Sequence, residues 1–129
     1  MTTSASMSTV VRRRDAALLA RQYAQAHCAG HTPSTLVEDV ELVVSELVTN
    51  AMRHGRGQIT MHLEVAPDRV VVGVQDQGAG RPSPREPDAT DVNGRGLALV
   101  ALLATEWGVR PAPTGGKVVW CVLTLAVSG

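Results

Sequence analysis

A chain of 129 residues has the length of one domain around one core, so two independent cores are excluded. Twelve Lys and Arg balance twelve Asp and Glu, which removes the positive field that drives non-specific binding to nucleic acid or anionic lipid. Only Tyr23, Trp107 and Trp120 are aromatic, too few to stack single-stranded bases, so neither direct nucleic-acid binding nor membrane binding is expected. Cys28 and Cys121 lack the paired spacing of a disulfide framework or a zinc site. Without an apolar signal core or an eighteen-residue apolar run, the expected location is the cytoplasm.

Residues 1–9 are rich in Ser and Thr without apolar periodicity and are expected to form a disordered tail, leaving 10–129 as the folded domain. Residues 10–29 then read as a first helix closed by Gly30. Thr35 and Glu38 have the spacing of a capping box that opens a second helix over 36–53. At 100° per residue, Leu36, Val37, Val40, Val44, Leu47, Val48 and Ala51 form its apolar stripe, with Asp39, Glu46, Asn50 and Arg53 opposite. Beyond Gly55 and Gly57, residues Ile59, Met61, Leu63 and Val65 alternate with polar neighbours in strand period. A turn at 66–69 leads to a second strand over 70–76, which ends at Asp76 and the glycines Gly78 and Gly80.

Residues 81–93 contain Pro82, Pro84 and Pro87 among charged side chains and read as a loop of the kind that forms lids. Gly94, Arg95 and Gly96 close it and open an apolar helix over 97–103. An apolar segment at 107–110, a turn at 111–116 and a long strand over 117–127 complete the chain.

Three segments have chemical potential. Glu46 and Asn50, at i and i+4, can converge on one point; the amide oxygen is a hard ligand suited to Mg²⁺, and the carboxylate can accept a proton. The plain alternative is a solvated helix face. Asp76 at a strand end is an acceptor matched to an exocyclic amino group, and the glycines after it let a flat base approach the backbone or simply supply a turn. Gly94 to Leu97 open a helix whose free N–H groups suit phosphate. The dinucleotide fingerprint fails because Ser83 holds the place of its third glycine, and the Walker A loop fails at Pro111 and Val118. His27, Cys28 and His31 straddle a helix end without a fourth ligand, so a metal site there has little support.

The ordered segments SELVTNAMRHG at 45–55, DQGAG at 76–80, GRGLALV at 94–100 and GGKVVW at 115–120 resemble the successive boxes of the gyrase, heat-shock chaperone, histidine kinase and MutL ATPase superfamily. The short form over residues 10–127 is similar to the bacterial anti-sigma factor serine-protein kinases of actinobacterial type. The resemblance implies a two-layer α/β sandwich, a mixed and mostly antiparallel sheet with helices on one face and ATP held between helices and lid. It further implies that Asn50 holds Mg²⁺, Glu46 is the general base and Asp76 binds the adenine amino group. Gly78 and Gly80 would flank the base, Gly94, Arg95, Gly96 and Leu97 would meet the phosphates, and His54 and Gly55 complete the first box. Many relatives carry a Thr in the last box whose hydroxyl helps hold a water near adenine; this chain has Lys117 and Val118 there, with Thr114 and Thr124 as candidate substitutes.

The function so implied is a serine/threonine kinase that binds a sigma factor and phosphorylates an anti-anti-sigma protein of the STAS type. A nucleotide-gated binding module without phosphotransfer is the alternative, and homodimerisation through the first helix is implied by resemblance alone. A sensor histidine kinase is not expected, since the length leaves no room for a separate dimerisation hairpin.

Overall fold

The strand alternation at residues 59–76 sets the layering of the molecule. In the computed structural model, which describes residues 3–78 and 94–125, β2 (Ile59–Val65) and β3 (Arg69–Asp76) pair antiparallel. Ile59, Met61, Leu63 and Val65 of one strand and Val70, Val72 and Val74 of the other point to a single buried face. β5 (Lys117–Thr124) extends this face with Val119, Cys121 and Leu123. With β1 (Ser4–Val10) and β4 (Glu106–Pro111) at the edges, the sheet runs in the order β1-β2-β3-β5-β4, every described pairing antiparallel.

Three helices cover that face and complete the expected two-layer sandwich: α1 (Ala16–Cys28), α2 (Ser34–His54) and α3 (Gly94–Leu103). α2 lies between the other two and also packs on β3 and β5. It buries Leu36, Val40, Val43, Val44, Leu47, Val48 and Ala51, nearly the predicted stripe, with Val43 fully enclosed and Val37 half-buried. Burying each of these Val and Leu side chains gains about 1.5–3 kcal/mol before ordering costs. α1 buries only small side chains, Ala16, Ala20, Ala24 and Cys28, one per turn, so its backbone can approach its neighbours closely.

Several boundaries differ from expectation. Residues 4–10 form the edge strand β1 instead of a tail, and the first helix begins at Ala16, not residue 10. The inward residues of β1 are Ser4, Ser6, Ser8 and Val10, and two of the serines meet α1: Ser6 Oγ bonds Tyr23 Oη, and Ser4 Oγ lies 3.4 Å from His27 Nε2. Polar pairing with a helix thus replaces the apolar pattern by which a strand is normally read. The capping box is absent as well. Pro33 is the N-cap, and its carbonyl accepts from Leu36 and Val37, which places Thr35 inside the first turn where its hydroxyl caps nothing.

At the other end of α2, Arg12 does the capping. Its guanidinium donates to the carbonyls of Met52 at 3.2 Å, Ala51 at 3.3 Å and Gly57 at 2.7 Å. A cation on the last carbonyls of a helix is matched to both their unpaired oxygens and the helix dipole. Arg12 therefore fixes the loop that leads from α2 into β2. The lid at 81–93, Gly80 and residues 126–127 of the expected last strand lie outside the described residues.

Candidate nucleotide site

The inward alternation of β3 is apolar until its last residue, Asp76, which is 2% exposed and the one buried charged side chain among the described residues. Such a carboxylate needs partners. Gly78 N–H donates to Oδ1 at 2.7 Å and Arg56 N–H more distantly at 3.4 Å. Lys117 Nζ stands 3.1 Å from Oδ2 and 3.3 Å from Oδ1. Asp76 and Lys117 are directly opposite in the β3–β5 register, where opposite charges on one face stabilise the strand pair.

The loops on either side are fastened to this point. Gln77 N–H donates to the Arg56 carbonyl at 2.7 Å, and the Gln77 side chain accepts from Gln58 N–H at 3.1 Å. Gly55, the residue after α2, lies against the carboxylate: a Cβ there would stand 2.6 Å from both Cγ and Oδ2 of Asp76. Gly116 has φ +81°, and a Cβ on it would meet the Asp76 carbonyl oxygen at 2.0 Å. Both glycines are thus required, one by close approach and the other by close approach and backbone conformation together.

α2, which ends at Gly55 against Asp76, carries the remaining first-box residues. Glu46, Asn50 and His54 are spaced i, i+4, i+8 and share a helix face; Glu46 and Asn50 are half-buried, and His54 is exposed at the helix end. Asn50 precedes Gly55 by about 7.5 Å of helix rise, so an amide and a carboxylate on α2 lead up to the Asp76 end of β3. The third helix starts at Gly94, earlier than expected, so Gly94, Arg95, Gly96 and Leu97 form its first turn, in which the N–H groups of the first three residues have no intrahelical partner. α3 packs beside α2, and Leu97 rests partly buried on the core.

Neither candidate threonine stands in for the hydroxyl of the last box. Thr114 Oγ1 accepts from Gln75 Nε2 at 3.4 Å, and Thr124 Oγ1 accepts from Thr105 at 2.8 Å, at the opposite end of β5 from Lys117. The side chain at Asp76 is instead Lys117, and with Arg56 it is a site residue that sequence reading did not single out. One signal was available: Lys117 is the chain's single lysine, placed just after Gly115 and Gly116 at the start of a strand.

The described residues hold no group of three or more His, Cys, Asp and Glu able to bind a metal. At the weaker 27–31 candidate, His27 stacks on Tyr23, and Cys28 is fully enclosed with its thiol pKa raised by burial and by Glu41. The Cys121 thiol is pushed up to about 12 by burial, opposed by a backbone hydrogen bond from Val72. Both cysteines are therefore unreactive core fillers. No described helix is long and apolar enough to cross a membrane.

No curated protein sequence matches the chain. Among solved structures, it is similar to the histidine kinase domain from Erythrobacter litoralis EL346 blue-light activated histidine kinase, at 22% identity and a TM-score of 0.50. That alignment covers 85% of this chain and 59% of the other, so the chain spans about three fifths of the solved domain's length and shares its fold. A sequence-family model described as the histidine kinase-like ATPase domain matches residues 10–122. With the match extending over most of the chain, the protein belongs to the histidine kinase-like ATPase domain family, whose members' shared property is an ATP-binding, kinase-like domain.

Proposed function

We propose that this domain binds ATP with Mg²⁺ and transfers its terminal phosphoryl group to a serine or threonine of a partner protein, in a circuit that controls a sigma factor. The observation that carries this reading is the buried Asp76 carboxylate at a strand tip, packed without clearance against Gly55 at the end of the helix that bears Glu46 and Asn50. In this reading Asp76 accepts from the adenine amino group, and Gly78 and Gly80 leave room for the ring. The first turn of α3, Gly94 to Leu97, directs N–H groups at the phosphates.

The donor set fits the cation. Mg²⁺ takes few protein ligands and several phosphate and water oxygens, which suits one amide, Asn50, and needs no cage of carboxylates. When bound it supplies neutralisation of phosphoryl charge. Glu46, one helical turn from Asn50, accepts the proton of the attacking hydroxyl. The resemblance of the four boxes to anti-sigma factor serine-protein kinases supports an anti-anti-sigma protein of the STAS type as the phosphate acceptor and a sigma factor as the sequestered partner. Glu46, Asn50, His54, Gly55, Asp76, Gly78, Gly80, Gly94, Arg95, Gly96 and Leu97 are the residues this function uses.

The test has two arms. Calorimetric titration with ATP and Mg²⁺ should give binding to the wild type and clearly weaker binding to Asn50→Ala. Incubation with γ-labelled ATP and candidate acceptor proteins should then label one of them on serine or threonine. Binding without any labelled acceptor would favour a nucleotide-gated binding module, and absence of binding would remove the nucleotide reading altogether.

A further inference from the structure

Arg12, Arg13 and Arg14 follow β1 as a run of like charges, a pattern that by itself reads as a solvated surface. Arg13 fits that reading: it pairs with Asp15 at 3.1 Å with both side chains largely in water, a contact of little energetic weight. Arg12 does not. Its guanidinium turns onto backbone 39 to 45 residues along the chain, with Nε on the Gly57 carbonyl, Nη1 on Met52 and Nη2 on Ala51. A planar fork of five donors lets one side chain span a helix end and the loop beyond it, which a single ammonium could not do.

The loop held in this way is the one that touches Asp76. The Ala51 carbonyl accepts from Arg12 and also, at 2.9 Å, from Gly55 N–H, and Gly55 lies against the Asp76 carboxylate without clearance. Arg56 donates its N–H to Asp76 Oδ1 and accepts from Gln77 N–H at 2.7 Å. Gln58 donates its N–H to the Gln77 side chain and, through Nε2, a second hydrogen bond to Thr9 Oγ1 at 3.3 Å, near the end of β1. Residues 55–58 are therefore gripped from two sides, by the tip of β3 on one and by Arg12 and Thr9 on the other. On the second side Arg12 supplies the charged donor.

We propose that Arg12 is a positioning residue for the nucleotide site: by tying the last carbonyls of α2 to the Gly57 carbonyl, it fixes the helix that bears Glu46 and Asn50 relative to the strand tip that bears Asp76. Arg12 itself touches neither base nor phosphate. Charge-assisted hydrogen bonds are roughly twice as strong as neutral ones, so without the guanidinium the last turn of α2 loosens and Gly55 loses its fixed place against Asp76. The groups that meet base and phosphates then keep their chemistry but not their spacing, and a site has to hold its spacing to within about 0.5 Å. The segment leading out of β1 is thereby part of the nucleotide machinery although no motif marks it. This inference rests on the nucleotide reading above.

Calorimetric titration of wild type, Arg12→Ala, Arg12→Lys and Gly30→Ala with ATP and Mg²⁺, at a temperature where circular dichroism shows all of them folded, tests it. Gly30→Ala controls for lost stability alone, since its strain arises at φ +81° with nothing near the new Cβ, beyond the end of α1 remote from Arg12. Arg12→Ala should bind ATP about tenfold more weakly, the effect of mis-setting one hydrogen bond. Arg12→Lys keeps the charge but not the fork and should lose less, and Gly30→Ala should bind as the wild type does. In hydrogen exchange, the Gly55 and Gln77 amides should exchange faster in Arg12→Ala than in Gly30→Ala, which marks a local loosening and not a general one. Wild-type affinity in folded Arg12→Ala would overturn the proposal, as would an equal loss in Gly30→Ala or loop amides no faster than in that control. Should Arg12→Ala fail to fold, Arg12→Lys carries the same comparison. If the wild type binds no ATP, the nucleotide reading itself fails and takes this inference with it, while the exchange rates still report whether Arg12 holds the loop.

Discussion

Gly55→Ala isolates the contact on which the site's geometry depends. The backbone there is extended, at φ −88° and ψ 178°, which alanine adopts without strain, so any effect must come from the added methyl group. That methyl would lie 2.6 Å from Cγ and Oδ2 of Asp76 and 2.7 Å from the Ala51 carbonyl oxygen, against the 3.4 Å or more of ordinary contact. Relief requires a shift of about 0.8 Å. Asp76 cannot move without stretching its bonds to Gly78 and Lys117, and Ala51 cannot move without opening the Gly55 N–H bond that ends α2. Overpacking of this kind costs about 1–3 kcal/mol, and weakening one charge-assisted hydrogen bond adds about 1 kcal/mol. For a domain of this size the sum corresponds to a fall in Tm of the order of 10 °C. Gly30→Ala is the reference: φ there is +81° with nothing within 4 Å of a new Cβ, so only backbone strain of about 1–2 kcal/mol is added. Thermal unfolding followed by circular dichroism should rank wild type, Gly30→Ala and Gly55→Ala in falling order, with nucleotide affinity lost only in Gly55→Ala. A Gly55→Ala protein as stable as the wild type would refute the steric reasoning.

Three further outcomes are expected. Glu46→Ala should retain ATP in calorimetry and lower the rate of phosphotransfer by roughly 10²- to 10⁴-fold, the range for a positioned base; an undiminished rate would remove Glu46 from the chemistry. Arg12→Ala should lower the urea-unfolding free energy by about 1–2 kcal/mol, since two carbonyls at the end of α2 and one in the loop after it lose a charged donor that is partly in water. The Cys121 thiol has a folded pKa of about 12 against 9.0 when unperturbed. A raised folded value means its contribution is complete below about pH 9 and is lost as pH climbs toward 12, by up to about 1.4 kcal/mol per pH unit. Urea midpoints at pH 8 and pH 11 should therefore fall more steeply for wild type than for Cys121→Val, and parallel lines would contradict the burial argument.

The parts of the fold that were legible in the sequence are those in which burial alone dictates the pattern. The stripe on α2 and the alternation of β2 required only one polar and one apolar face, and both were read almost residue for residue. β1 was missed because three of its four inward residues are serines, two of them paired with Tyr23 and His27 on α1, and such pairing leaves no periodic apolar trace. The α2 N-terminus was misread because Thr35 and Glu38 have the spacing of a capping box, whereas the helix bonds already begin on the Pro33 carbonyl two residues earlier. At the site, Asp76 could be picked out as a lone carboxylate ending an apolar strand. Lys117 could not, because its meeting with Asp76 is a matter of register between strands forty-one residues apart in the chain. Gly80 and the proline-rich lid lie outside the described residues, so their expected contacts with base and phosphates stay with the proposal.

The alanine seam of α1 makes the domain's tolerance to change one-sided. Ala24 and Cys28 are fully enclosed, whereas Ala16 and Ala20 border a cavity of about 200 Å³ shared with Val10, Tyr23 and Met61, so a branched carbon added at Ala24 or Cys28 must lever the helix outward while one added at Ala16 or Ala20 has space to enter. Variation at Ala24 and Cys28 should consequently run among glycine, alanine, serine and cysteine, while Leu18, nearly half exposed on the other side of the helix, stays open to replacement by almost anything that keeps the helix wound.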